Sequence, residues 1–576
     1  MKQTPPAFQL ELKLNNPAPS PSQNRSPRAL PPTANQVDRG DNQPAEPIPM
    51  AVTALVATAV FAFATLVRLP ATTESLWLDE LHSAWAVWGD FGDVRQRAAM
   101  GNQSPTFYWL LWAWHQAFGD TEPALRSLSV IFSSLAAAVT AAGVTRLTGN
   151  VVAGAIGGAV LAIEPNAIFF GTEVRAFAPV MLLTAIACWA WVSTFRSSSR
   201  LPVRALLACV GLATMIQPMS LGLLAWPPIE LFWRRRHSLH LNPRRMLLVA
   251  IATLASAWAG WVLFGKVLTT AWQHRYEWQA AMPTGPATTI LTVWPWAIGM
   301  IAVAVTAALL AMHLNRSADR RAATDEDHCP SEHARIGPWD PGWLAPASLA
   351  MGATALYWSL SASGVAPIFH RRFMVGVVVL MAWAFGVATH QLMTSLGRIR
   401  RGRFGRQGDR PAVRKVVQWG LPIALLLWSL LCGVRVATNP EAYARPLRSE
   451  DWRGARELIA QYPNEPVWLA PGLIETQRLL SGNDPNEIAY LTFPLQGPYP
   501  LGRVEPISLR PGAVDDLLRR RLAAGHPWWA VLRASPRQRG IDWANGVALR
   551  AGGKAELSFE SYPFGRLTLI RFTPRP

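Results

Sequence analysis

Residues 50–69, 246–265, 373–393 and 417–438 each run for about 20 positions with almost no charged side chain. A helix of about 20 apolar residues crosses the roughly 30 Å of hydrocarbon in a bilayer. Soluble cores do not repeat that pattern so often, and the remaining composition agrees with a membrane protein. Half of the 576 residues are hydrophobic, only 16% are charged, and 27 tryptophans are available for the two interfaces where indoles settle. The chain therefore reads as an α-helical, polytopic membrane protein.

The formal charge of +18 is placed where a membrane protein needs it. Residues 394–417 carry eight Lys or Arg against one Asp, which fits a cytoplasmic loop facing anionic lipid. No nucleic-acid recognition module is present, so nucleic acid is not an expected partner. Sequential use of the positive-inside rule gives about eleven spans: 50–69, 125–145, 151–170, 176–195, 203–217, 219–233, 246–265, 287–313, 343–363, 373–393 and 417–438. Every loop assigned to the cytoplasm by that order is basic. The apolar run 105–118 is too short to span and reads as a juxtamembrane or re-entrant helix inside a large first outside loop, 70–123.

Three regions follow. Residues 1–49 contain eleven prolines and few large apolar side chains, the composition of a disordered cytoplasmic tail. Residues 50–438 form the membrane domain. From 439 to 576 the chain turns to a polar and apolar mixture that reads as a small α/β domain outside the cytoplasm, with helical spacing at 451–462 and 513–522. Strands are expected at 466–470, 528–532 and 567–572. The location implied is the cytoplasmic (inner) membrane. Four cysteines imply no disulfide framework, and His328, Cys329 and His333 lack a second ligand pair at zinc spacing.

Chemistry concentrates in the expected outside connections. Asp79 and Glu80 are adjacent soon after the first span, and on a helix Asp79 shares a face with His82 and Ser83 while Glu80 points elsewhere. Glu173 and Arg175 lie between two apolar runs, where charges need pairing or water, and Glu164 lies deeper. Arg371 and Arg372 run against the positive-inside bias, and outward guanidinium groups suit a lipid-linked phosphate. Lys266 and Arg275 add positive charge in another outside loop. For each cluster, interfacial anchoring is the bland alternative.

In order, these segments resemble the GT-C glycosyltransferases of family 39 type. Leu78-Asp79-Glu80 is similar to the family's acidic motif, and Ser104-Pro105-Thr106-Phe107-Tyr108-Trp109-Leu110-Leu111 to its HPPLYYLL segment. Phe118-Gly119-Asp120-Thr121-Glu122-Pro123-Ala124-Leu125-Arg126 resembles the FGxSExALR stretch, Glu173-Val174-Arg175 the QEARxY element, Arg372-Phe373 a later RY element, and Glu450-Asp451-Trp452-Arg453 an EDWR stretch. The likeness covers roughly residues 50–470. It departs at Gln103-Ser104, at Thr172 and at Phe373, where the family has His-Pro, Gln and Tyr.

The resemblance implies transfer of a sugar, with inversion, from a polyprenyl-phosphate donor in the membrane lipid to an acceptor hydroxyl on the extracytoplasmic side. Inversion needs a base near the acceptor and positive charge on the departing phosphate. Asp79 is then the expected base, with Glu80 and Glu173 supporting the catalytic site. Arg175, Arg371, Arg372, His82, Lys266 and Arg275 are the expected substrate and phosphate contacts. Some GT-C enzymes use a divalent ion, although Asp79-Glu80 alone makes no metal site. A transporter or flippase, or a catalytically inactive GT-C-like assembly protein, would share the helices and the charge. The acids, however, cluster near one face instead of the midplane, and no inverted repeat is visible.

Overall fold

The computed structural model describes residues 48–196, 199–235, 284–294, 341–404 and 449–575, apart from short internal stretches in the last, together with isolated positions between 265 and 276. Nearly all of the expected tail lies outside the described residues, as do the expected span 417–438, all but Gly265 of 246–265 and most of 287–313.

The first apolar run forms helix α1 (Met50–Arg68). It leads through a 3₁₀ turn into three short helices, α2 (Leu78–Val87), α3 (Val94–Met100) and α4 (Pro105–Phe118). The 14-residue α4 packs with α2, α3 and the start of the next helix, as expected of a juxtamembrane element. Helix α5 (Glu122–Thr148) is long enough to span and starts with Thr121 accepting the Ala124 amide, with proline in the first turn. Only 22% of the apolar window of α1 is buried, against 72% for α5 and 89% for the Gly376–Phe404 helix. The exposed Met50, Leu55 and Leu66 of α1 are therefore the surface offered to lipid, and α5 and the Gly376–Thr394 part of the later helix are interior.

The expected span 151–170 is two helices, α6 (Val151–Ile163) and α7 (Pro165–Thr172), bent by 63°. Pro165 has no amide hydrogen to continue the ladder, and carbonyls freed at a break in hydrocarbon need other donors. Arg68, fully buried at the end of α1, supplies one: Nη1 donates to Ala162 O at 3.0 Å, and also to Ala64 O of its own helix at 2.9 Å. Glu164 closes the other side by accepting the Ala167 amide at 2.6 Å. Small residues let α6 approach its neighbours, and Gly157 faces Gly386 of the Gly376–Phe404 helix with no side chain between them.

Helices α8 (Phe177–Ser193) and α9 (Arg200–Ile216) follow the expected spans closely. The next expected span, 219–233, is instead broken into a turn at Pro218–Ser220 and helices Leu221–Leu224 and Trp226–Arg235. Pro218 starts the turn, and Pro227 and Pro228 are tolerated only in a first helical turn, so the run restarts at Trp226.

The C-terminal residues build a five-stranded sheet in the order β2-β1-β3-β5-β4, from β1 (Val467–Ala470), β2 (Val504–Pro506), β3 (Trp528–Arg533), β4 (Leu557–Phe564) and β5 (Leu567–Pro574). The first three strands are mutually parallel, and β5 runs antiparallel to β3 and β4. Side chains alternate between the two faces. Trp468, Trp528, Leu532 and Phe572 pack on one side against residues from the Asp515–Ala524 and Arg537–Arg550 helices. Val467, Leu469, Trp529 and Leu569 point the other way, into one hydrophobic cluster with Leu76, Leu81, Trp85, Phe107 and Leu125 of the α2–α5 segment. The sheet and the juxtamembrane helices therefore share a core.

Candidate functional site

The site is organised by α2. Trp77 is extended, at φ −94° and ψ 170°, and the helix starts at Leu78 with Asp79 and Glu80 in its first turn, where negative charge favours the amide end. Successive residues on a helix point about 100° apart, so the two carboxylates enter different surroundings.

Glu80 is fully buried and paired with Arg126 of α5, also fully buried, with Arg126 Nε donating to Oε1 at 2.9 Å and Nη2 to Oε2. Glu80 further accepts the Val174 amide at 3.2 Å and the Trp77 amide at 3.4 Å. Arg126 donates to the carbonyls of Thr72 at 3.0 Å, Glu74, and Ser75 at 3.1 Å. A buried ion pair persists when its remaining donors and acceptors are satisfied, as they are here. The pair bolts α2, α5, the segment before α2 and the Val174 turn together.

Asp79 stays partly open to the surface. Its side chain is 24% exposed, Oδ1 lies 3.2 Å from Arg175 Nη2, and Oδ2 lies 3.5 Å from Arg372 Nη1. Burial disfavours its charge, yet Arg175, Arg372, Arg533 and His82 outweigh that and hold the carboxyl below its ordinary value. Arg175 also donates to Tyr108 Oη at 3.2 Å, and Gln217 Nε2 fixes the Arg372 carbonyl at 2.9 Å. Arg371 is exposed and donates to the neutral Asn166 Oδ1 at 3.3 Å, while Asn166 donates to Glu164 at 2.8 Å. His370 Nδ1 accepts from both the amide and Nε of Arg372 at 3.3 Å. Burial and the Arg372 charge push that imidazole down to about 3, so it stays an acceptor.

Thus α2, the 164–175 segment and the 370–373 turn converge, joining Asp79, Arg175 and Arg372 across 293 residues of sequence. Glu173 is buried beside Arg175, whose cation it favours electrostatically. His82 lies on the Asp79 face but is 3% exposed and set edge-on to Tyr108 and Tyr490. Burial, then Arg175, hold it near 3, and a neutral imidazole brings no charge to a phosphate. Arg275 folds onto its own turn, over Trp272 and Tyr276 at 4.2 and 4.3 Å. Lys266 lies outside the described residues.

The sequence reading passed over Arg126, Tyr108, Asn166 and Glu450. Arg126 closes the Phe118–Arg126 stretch and Glu450 opens Glu450-Asp451-Trp452-Arg453, so their signal was a motif position without a visible partner. A resident divalent ion does not fit this donor set. Both Asp79 oxygens face guanidinium groups, and among the described residues no three His, Cys, Asp or Glu side chains converge.

No protein-family model and no curated protein matches the sequence. Among solved structures the chain is similar to ArnT from Cupriavidus metallidurans bound to undecaprenyl phosphate, with a TM-score of 0.50, 14% identity, and 90% of this chain and 97% of that chain covered. The apo state of the same protein gives a TM-score of 0.48 at the same identity and coverage. ArnT, the lipid A aminoarabinose transferase, has the GT-C fold. The likeness, with the apolar helices above, makes this chain a multi-pass membrane protein of that fold.

Proposed function

We propose, for a chain with the GT-C fold, that it transfers a sugar from a polyprenyl-phosphate donor to an acceptor hydroxyl at the extracytoplasmic face of the cytoplasmic membrane. The observation that carries this reading is Asp79 held between Arg175 and Arg372 at the edge of the helical bundle, with Arg371 exposed beside them. A solved structure of similar fold, bound to undecaprenyl phosphate, supports a polyprenyl-phosphate donor.

In this reaction the acceptor oxygen attacks the sugar's anomeric carbon as the bond from that carbon to the phosphate oxygen breaks. The phosphate leaves with the bonding electrons, and the acceptor proton passes to a base. Arg372 and Arg371 neutralise the departing phosphate, for which guanidinium offers paired donors. Asp79 takes the proton. In the resting protein Arg175 and Arg372 make it a weak base. A phosphate that draws Arg372 away from its 3.5 Å contact raises the basicity of Asp79, so donor binding itself prepares the base. Glu80 and Arg126 hold α2 from behind, and Glu173 supports Arg175.

Purified protein in lipid nanodiscs, given undecaprenyl-phosphate sugars extracted from native membranes, should release undecaprenyl phosphate and a glycosylated acceptor. Movement of those lipids between leaflets with the sugar–phosphate bond intact would instead mark a flippase.

A further inference from the structure

We propose that Glu450 of the C-terminal domain is a positioning residue for Asp79, which makes that domain a working part of the transfer site. The proposal rests on the reading of Asp79 as the reacting carboxylate. Glu450 is 1% exposed, and its carboxylate reaches across the domain boundary to the first turn of α2. Oε2 accepts the amide of Leu78, the residue before Asp79, at 2.9 Å and the Trp452 indole N–H at 3.1 Å. Oε1 accepts from Arg533 Nε, at the end of β3, at 2.5 Å. The Leu78 amide has no partner within its own helix, so this carboxylate is what ends the search of that donor.

The sheet fixes Glu450 in turn. Its backbone bridges to Gly565, the Asp451 amide donates to Phe564 O at 3.4 Å, and the Arg566 amide donates to Ser449 O at 2.5 Å. Gly565, between β4 and β5, has φ +65°, and any side chain there would collide with the Ser449 carbonyl. The hairpin turn therefore sets where residues 449–451 run, those residues set Glu450, and Glu450 sets the start of α2. Lesser latches hold the segment before α2: Tyr499 Oη accepts the Leu76 amide at 2.7 Å, and Ser75 Oγ accepts the Trp452 amide at 3.1 Å. Those contacts fix the approach to the helix, whereas Glu450 touches its first turn.

Hydrogen exchange and transfer kinetics of the full chain in nanodiscs test the role together. Glu450→Ala is expected to speed exchange in the α2 peptide by roughly tenfold to a hundredfold, the range for losing a hydrogen bond to a charged group. The strands stay protected. Its kcat should fall by a similar factor while the KM for lipid-linked sugar stays within about threefold. Glu450→Gln, which keeps an acceptor for Leu78, should restore both. Arg521→Ala, which breaks a pair with Glu505 at the β2 edge, is the control and should change neither. If Glu450→Ala also opens the strands, the double change Glu450→Leu with Arg533→Leu removes both charges together and repeats the comparison. Unchanged α2 exchange in a folded variant, or a rise in KM alone, would overturn the proposal. Wild-type protein with a protected α2 and no transfer would sink the transferase reading, while the exchange arm still judges the clamp.

Discussion

Asp79 and Glu80 are one residue apart on the same helix, and the protein uses them in opposite ways. Glu80 is sealed against Arg126 and takes two backbone amides, so no lone pair is left for a substrate. Asp79 is a quarter exposed and held by two longer contacts, one of them at 3.5 Å. A carboxylate that is fully satisfied fastens the structure, and one that is part-exposed and held loosely can exchange partners. The 100° step of the helix separates the two tasks.

The contrast breaks most visibly in stability. Glu80→Ala strands the Arg126 guanidinium in the interior and should cost about 3–5 kcal/mol. Asp79→Ala should cost clearly less, because its carboxylate is a quarter exposed and Arg175 keeps the Tyr108 hydroxyl and the Glu173 charge. Denaturation in detergent measures both, and equal losses would erase the distinction.

Arg372→Gln sharpens the Asp79 side. It should raise the KM for the lipid-linked donor roughly tenfold to a hundredfold, a loss typical of a charge-assisted contact. Titration of turnover against donor concentration reads it, and a variant saturating like wild type would remove phosphate recognition from Arg372.

The acid side of the rate profile comes next in size. The Asp79 pKa lies below its ordinary value, so its contribution is present above that value and lost as pH falls through the lowered one. The acid limb of kcat/KM should accordingly lie below the usual carboxylate range. Arg372→Gln removes one cause of the depression, and the limb should move up. A limb that stays fixed would assign it to another group.

His82 bears on acid stability instead of turnover. Its folded pKa near 3 is below the ordinary 6.5, so its share of stability is full above 6.5 and lost as pH falls toward 3. His82→Phe keeps an aromatic ring against Tyr108 and Tyr490 and should be less acid-sensitive across that window. Parallel unfolding curves for the two proteins would contradict this.

Much of this was legible in the sequence, and the limits are physical. Helical period alone put Asp79 and His82 on one face and Glu80 on another. Length alone kept residues 105–118 out of the set of spans. Composition could not foresee the bend at Pro165, because an apolar run reads the same whether straight or broken, and the Ala162 carbonyl that Arg68 caps is invisible as its partner until α1 and α6 pack. The partners of Glu80 and Leu78 were equally hidden. Arg126 and Glu450 lie 46 and 372 residues away, and no local pattern encodes such pairing. Arg372 beside Asp79 was expected only from motif order and sidedness.

In the proposed transfer, labour is divided at Asp79: the arginines would bind the phosphate, and the carboxylate would take the proton. Asp79→Asn tests it when undecaprenyl phosphate binding and sugar transfer are measured on the same preparation. Freed of the carboxylate, Arg175 and Arg372 should bind undecaprenyl phosphate at least as tightly as in wild type. Transfer should fall by about 10²–10⁴-fold, the usual worth of a general base. Transfer that persists in this variant, or lipid binding that disappears with it, would contradict the account.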